Sequence, residues 1–265
     1  MGTLRSVTPD QRRRLREHLV ASGIAGDTRT ARDNCVANAT KLANGDPDKA
    51  LGIGARGKSA DEVMQAVADL CGCSPDCSII DGPGVIDPDR VLDALHALGD
   101  RLEKAAADGA RMIAATGHPT GLMPLYQRIG RALRAEGVEI LTPLDAVTLE
   151  PPRKFRRRRS VLYLDRVAAL NAGADLVHTH ESWPMDAVLD AAGAVDLVLA
   201  DHGWAGAAIA RGIETVCFTD VNDPAIAVAK ADGLVEVVVP CDDNLPPVNY
   251  EPVGDYLTGR IARTG

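Results

Sequence analysis

Four of the six histidines, His118, His178, His180 and His202, lie in one half of the chain, each just after a short aliphatic run. The sharpest element is His178-Thr-His180-Glu181. Alternate side chains of an extended segment share a face, so this H-x-H pair can aim two imidazole nitrogens at one cation. Taken alone, such a pair is more often two hydrogen-bonded surface residues. Asp201-His202-Gly203-Trp204 shifts the balance, because it adds a carboxylate and a further imidazole after the run Val195-Asp-Leu-Val-Leu-Ala200. Together the two segments support a metal or acid–base site. His18 and His96 sit within helical patterns and read as partly exposed helix residues.

Other segments have the make-up of ligand loops. Thr116-Gly-His-Pro-Thr-Gly121 is a strand-to-helix turn, with Pro119 suited to the first turn of the helix. Free amides and the partial positive charge at such a helix start would hold a phosphate. The equal alternative is that Gly117 and Gly121 only permit a tight turn. In Thr219-Asp220-Val-Asn-Asp223-Pro224, Asp220 is placed for a metal or a substrate hydroxyl, and Asp223 before proline reads as an N-cap. Cys241-Asp-Asp-Asn244 reads as an exposed turn. Residues 153–159 hold six basic side chains in seven and read as a solvated loop that could attract an anion, since aromatic interleaving for nucleic acid is limited to Phe155. The three thiols of Cys71-x-Cys73-x3-Cys77 lack a fourth partner at zinc spacing, so a turn without metal is expected there.

These loops need a frame that brings strand ends together. Amphipathic helices are expected over 9–21, 30–42 and 60–71, giving a mainly helical portion over 1–86. From residue 87 the pattern alternates. A helix over roughly 88–109 leads to the strand Arg111–Ala115, and a second helix runs to about 136. Aliphatic runs follow at 138–141, 161–169, 175–178, 195–199, 215–218 and 234–239, with helices starting near Pro184, Trp204 and Asp223. This order predicts a single α/β domain, 1–265, with a layered, mostly parallel sheet flanked by helices. The 161–178 pair is a candidate antiparallel hairpin, which makes a mixed sheet the preferred form. In an open sheet of this kind the carboxyl ends of parallel strands form the ligand crevice.

Composition bounds the rest. The chain has 265 residues, 46% hydrophobic and 25% charged, with a net charge of -8. Bulk charge therefore does not draw it to nucleic acid or an anionic membrane. Only eight aromatic residues occur (two Trp, four Tyr, two Phe), so the core must be aliphatic. The N-terminus lacks the apolar stretch of a signal peptide and no run is long enough to span a membrane, which predicts a cytoplasmic protein with six reduced cysteines.

Seven blocks together resemble an actinobacterial family of phosphatases over nearly the full chain: Thr30-Ala-Arg-Asp-Asn34, Asn44-Gly-Asp-Pro47, Ile86-Asp-Pro88, Ala115-Thr-Gly-His-Pro119, His178-Thr-His180, Asp201-His-Gly-Trp204 and Thr219-Asp-Val-Asn-Asp-Pro224. The resemblance implies a phosphoric ester hydrolase. The chain departs from the pattern in its arginine-rich insertion and in the Ser-Trp after Glu181, differences that bear on substrate specificity. The leading expectation is a phosphatase that hydrolyses a small phosphorylated metabolite with a divalent metal cation. His178, His180, Asp201 and Asp220 would hold the cation. Arg32, Asn34, Thr116, Gly117, Gly121 and Asp220 would contact substrate, and His118 or His202, with Asp201, would handle the proton. A metal-free variant would use a histidine nucleophile. The rivals are a non-catalytic binding protein for a phosphorylated metabolite and a phosphosugar lyase or isomerase.

Overall fold

The computed structural model describes residues 8–152 and 158–262. Its N-terminal part contains α1 (Pro9–Ser22), β1 (Gly26–Ala31), α2 (Arg32–Ala43), the single turn α3 (Pro47–Ala50), α4 (Ala60–Cys71) and β2 (Pro83–Ile86). Next come α5 (Pro88–Asp108), β3 (Arg111–Ala115), α6 (Met123–Ala135), β4 (Glu139–Ile140), β5 (Thr148–Leu149), β6 (Arg159–Leu164), β7 (Val167–Ala172) and β8 (Asp175–Val177). The chain ends with α7 (Trp183–Ala192), β9 (Leu197–Asp201), α8 (His202–Ala210), β10 (Thr215–Thr219), α9 (Pro224–Ala231), β11 (Val237–Pro240), a 3-10 turn and α10 (Glu251–Ile261).

Local chemistry accounts for the helix ends. Thr8 and Gln11 form a capping box at α1, Ser59 and Glu62 another at α4, and both helices stop at a left-handed glycine. In α5, Asp87 accepts from the amide of Asp89, and Val91, Leu92, Leu95, Leu98 and Leu102 form the buried stripe. Among the elements that escape the sequence pattern are β1 and α10. β1, Gly-Asp-Thr-Arg-Thr-Ala, is polar yet pairs antiparallel with β2, so the N-terminal portion is not only helical. α10 buries only Val253, Gly254, Leu257 and Ile261, too sparse a stripe to stand out.

The main sheet is α/β and mixed, in the order β11-β10-β9-β3-β7-β6-β5, with β4 also on β3 and β8 on β7. β3, β4, β7, β9, β10 and β11 run parallel, while β5, β6 and β8 join antiparallel. From β3 the chain crosses through α6 to β4 on one side, whereas from β9 it crosses through α8 to β10 on the other. Right-handed crossovers in opposite directions put those helices on opposite faces and open a crevice at the carboxyl ends of β3 and β9. The interior is aliphatic, with Trp204, Tyr126, Tyr250 and Phe218 as its fully buried aromatics. The basic run 153–159 falls mostly outside the described residues; of it, Arg159 begins β6. No helix among the described residues is long and apolar enough to cross a membrane.

Candidate active site

The crevice between β3 and β9 is where the histidines meet. His118 follows β3 and His202 follows β9 directly. His178 and His180 arrive by another route: β8 runs antiparallel to β7, which starts at the end of β3, so β8 turns the chain back toward the crevice. There the Thr179 amide donates to the Gly117 carbonyl at 2.9 Å. The H-x-H pair thus enters from an antiparallel strand and not from a parallel strand end, and all four histidines still converge. Ring centroids lie 4.4 Å apart for His118–His178, 5.0 Å for His178–His202, 5.1 Å for His180–His202 and 5.6 Å for His118–His202.

His202 is the hub. Its Nδ1 donates to Asp201 Oδ1 at 2.7 Å, which leaves Nε2 facing His178 Nε2 at 3.4 Å, Asp223 Oδ2 at 3.3 Å and Asp243 Oδ2 at 3.7 Å. The residue sits at φ 48°, a left-handed backbone that a side chain other than glycine adopts only when its surroundings hold it there. His180 Nδ1 lies 3.0 Å from the carbonyl oxygen of Asp48, a pure acceptor, so Nδ1 carries the hydrogen and Nε2 presents a lone pair. Two sets of three ligand atoms lie within 4.8 Å of one another: His118, His178 and His202, and His180, His202 and Asp223. A four-coordinate ion with bonds of roughly 2.0–2.1 Å spaces its donor atoms about 3.3 Å apart, which the His178–His202 and His202–Asp223 separations match. A carboxylate behind a ligand histidine, as Asp201 stands behind His202, is the usual way of fixing ring orientation.

Several residues expected at the site have other employment. Asp201 Oδ1 accepts from the amides of Gly117 at 2.7 Å and His118 at 3.1 Å as well as from His202, so Asp201 orients the hub and belongs to neither ligand set. Those two amides are thereby unavailable for a phosphate, and α6 begins only at Met123, away from the expected start near Pro119. Thr116 Oγ1 accepts from the His118 amide at 2.9 Å, bracing the same turn. Gly117 and Gly121 are needed for close approach: a Cβ would lie 2.6 Å from the Thr179 oxygen in one case and 2.5 Å from the Asp243 oxygen in the other. Asp220 accepts from Thr30 Oγ1 at 2.8 Å and from the Val221 amide, and it belongs to neither ligand set. Arg32 is buried and turned away, donating to the carbonyls of Ser74, Asp76 and Ile79, so its guanidinium secures that loop. Asn34 is exposed on α2.

Three carboxylates differ from their sequence reading. Asp223 precedes Pro224 as an N-cap would, but it makes no side-chain cap bond and reaches His202 instead. Asp242 and Asp243 form no exposed turn: both are buried, and Asp243 Oδ1 stands 3.5 Å from His118 Nδ1. Their position just after β11, level with the other strand ends, was the available signal. Asp87-Pro-Asp89-Arg-Val91 also has the DxDx(T/V) spacing of an aspartyl nucleophile, but Asp87 caps α5 and Asp89 pairs with Arg16.

Comparison with known proteins places the chain in a family. The family model described as Phosphatase matches residues 10–265. The chain belongs to the Phosphatase family. It is 39% identical over 254 residues to Phosphatase SCO2771 of Streptomyces coelicolor, covering 93% of this chain and 94% of that protein. In this family member the His-Asp cluster carries an electrostatic signature. Burial alone would lower the pKa of His202, but Asp223, Asp243 and Asp201 raise it to about 10. Burial raises Asp220 well above the carboxylate range, helped by Asp243, Asp223 and Asp242, and burial also raises Asp243. His178 goes the other way: burial of its ring, then repulsion from His202, His118 and His180, takes it down to about 4, although part of the residue stays open to solvent.

A pH dependence follows for the protein in chelator. A histidine raised from 6.5 to about 10 on folding stabilises the fold fully below the lower value and loses that contribution as pH climbs toward the upper one. Carboxyls whose pKa is raised by folding push in the same direction. Thermal unfolding in chelator should therefore show the protein less stable at pH 9 than at pH 6, by about 3 kcal/mol. A divalent cation, taking the place of the proton, should narrow the gap. Equal melting temperatures at the two pH values in chelator would contradict the charge arrangement around His202.

Proposed function

We propose that the protein is a phosphoric monoester hydrolase that acts on a small phosphorylated metabolite with the help of a divalent cation. The observation that carries this reading is His202 Nε2, which is shared by both candidate ligand sets, 3.4 Å from His178 Nε2 in one and 3.3 Å from Asp223 Oδ2 in the other, with its far nitrogen held by Asp201. His180, His202 and Asp223 would hold the cation, with His178 beside His202. Bound there, it would polarise a phosphoryl oxygen and make a coordinated water acidic near neutral pH.

The chain's own residues then divide the work. Asp201 keeps His202 in the tautomer with a free Nε2, and the Asp48 carbonyl does the same for His180. His118 is the group suited to protonate the leaving alkoxide. Burial opposes its protonated form, but Asp243 reverses the sign and raises its pKa above 6.5. Its buried Nδ1 has no hydrogen bond within normal length. Both nitrogens of His202 are engaged, which leaves His118 the freer proton carrier.

The test is phosphate release from a panel of phosphorylated metabolites, measured in chelator and after divalent cations are restored. Release that is abolished by chelator and recovered with cation is the expected result. Release that persists in chelator, with an acid-trapped phosphohistidine, would replace the cation by a histidine nucleophile. Binding of the esters without release would favour a non-catalytic binding protein.

A further inference from the structure

With Arg32 and the Gly117 turn both engaged elsewhere, the phosphoryl group lacks its expected partners, and the cluster itself is rich in buried carboxylates. Asp201, Asp220, Asp223 and Asp243 are all at most 5% exposed. An anion entering such a site needs a cationic side chain at its rim as well as any metal. α3 supplies one. The backbone carbonyl of Asp48 holds His180 Nδ1 at 3.0 Å, and Asp48 Oδ2 lies 3.6 Å from that same nitrogen and 3.6 Å from Lys49 Nζ. The ammonium and the His180 imidazole therefore flank one carboxylate oxygen. The Lys49 side chain is only 14% exposed and that of His180 16%, while Asp48 at 67% marks the solvent edge. Lysine usually extends its ammonium into water; this one is largely shielded, and its only ion-pair partner among the described residues is the neighbouring Asp48, whose carboxylate also faces His180. At 3.6 Å that contact is too long for a hydrogen bond, so the three N–H donors are free for another acceptor.

The segment is anchored as a site element would be. Leu51 is fully buried with φ 49°, and its carbonyl packs on Gly206 of α8, the helix that begins at His202. Gly52 abuts Ser182 at the start of α7. The turn is thus clamped to both helices that follow the histidine-bearing loops.

We propose that Lys49 binds the phosphoryl oxygens of the substrate at the His180 edge of the cluster and so selects a phosphoryl dianion. This rests on the phosphatase reading above, but its test does not depend on turnover. Inorganic phosphate is titrated calorimetrically into the wild-type protein and into Lys49→Met and Lys49→Arg variants, each saturated with divalent cation, and cation affinity is measured separately on all three. The expected result is phosphate affinity at least about 10-fold weaker in Lys49→Met and largely restored in Lys49→Arg, with cation affinity unchanged. For active protein, the loss should appear in KM more than in kcat. Equal phosphate affinity in wild type and Lys49→Met would overturn the assignment while leaving the hydrolase intact. Lys49-dependent phosphate binding in a protein that releases no phosphate from any ester would keep the assignment and remove the hydrolase. A wild-type protein that binds no phosphate even when cation-loaded would overturn both.

Discussion

His202→Ala should abolish cation binding and lower phosphate release by about 10³-fold or more, because it removes the one side chain common to both ligand sets. The variant also strips three buried carboxylates, Asp201, Asp223 and Asp243, of their shared cationic partner. Its fold will suffer, since an unpaired buried charge costs roughly 3–5 kcal/mol. Asp201→Asn separates the two effects. An asparagine keeps the shape and can still accept the Gly117 and His118 amides, but it no longer holds the His202 Nδ1 hydrogen with a negative charge. Cation affinity should drop about 10- to 100-fold in a protein that still folds. The readout is direct titration with a divalent cation, alongside turnover. Cation affinity within threefold of wild type in both variants would remove His202 from the centre of the site and the cation reading with it.

Gly206→Ala should destabilise the protein by about 3 kcal/mol or more, the upper end for overpacking. A Cβ at this position would stand 1.6 Å from the Leu51 carbonyl oxygen and 2.7 Å from its carbon. Those are backbone atoms, so no rotamer change relieves the collision, and α3 must lift off α8. For a chain of this size the melting temperature should fall by roughly 6–12 °C. Gly130→Ala in α6 is the matched control: a Cβ there meets nothing within 4 Å, and removal of a helical glycine should stabilise by about 0.5–1 kcal/mol. The displaced turn carries Asp48 and Lys49, so Gly206→Ala should also weaken phosphate binding. A melting temperature equal to that of Gly130→Ala would mean that the turn is not seated as described.

Local pattern carried much of this protein. The strand Arg111–Ala115 and the helix Ala60–Cys71 were legible to the residue, because apolar periodicity and capping residues are properties of neighbours in the chain. The antiparallel pair within 161–178 and the strand-end histidines were legible for the same reason. The polar strand β1 was not, since its hydrogen bonds go to β2 more than fifty residues away and leave no apolar alternation behind. The site divides along the same line. Residue types announced imidazole and carboxylate chemistry at His178, His180, Asp201 and His202. Only the tertiary structure decided which atoms are free to perform it. The Gly117 amide is spent on Asp201, Arg32 on the loop at 74–79, and Asp223 on His202 in place of its own helix. Asp243 and Asp48 reach the cluster from the end of β11 and from α3. A donor or acceptor is available only when no nearer partner has claimed it, and in a buried site those partners come from distant segments whose approach the local sequence does not encode.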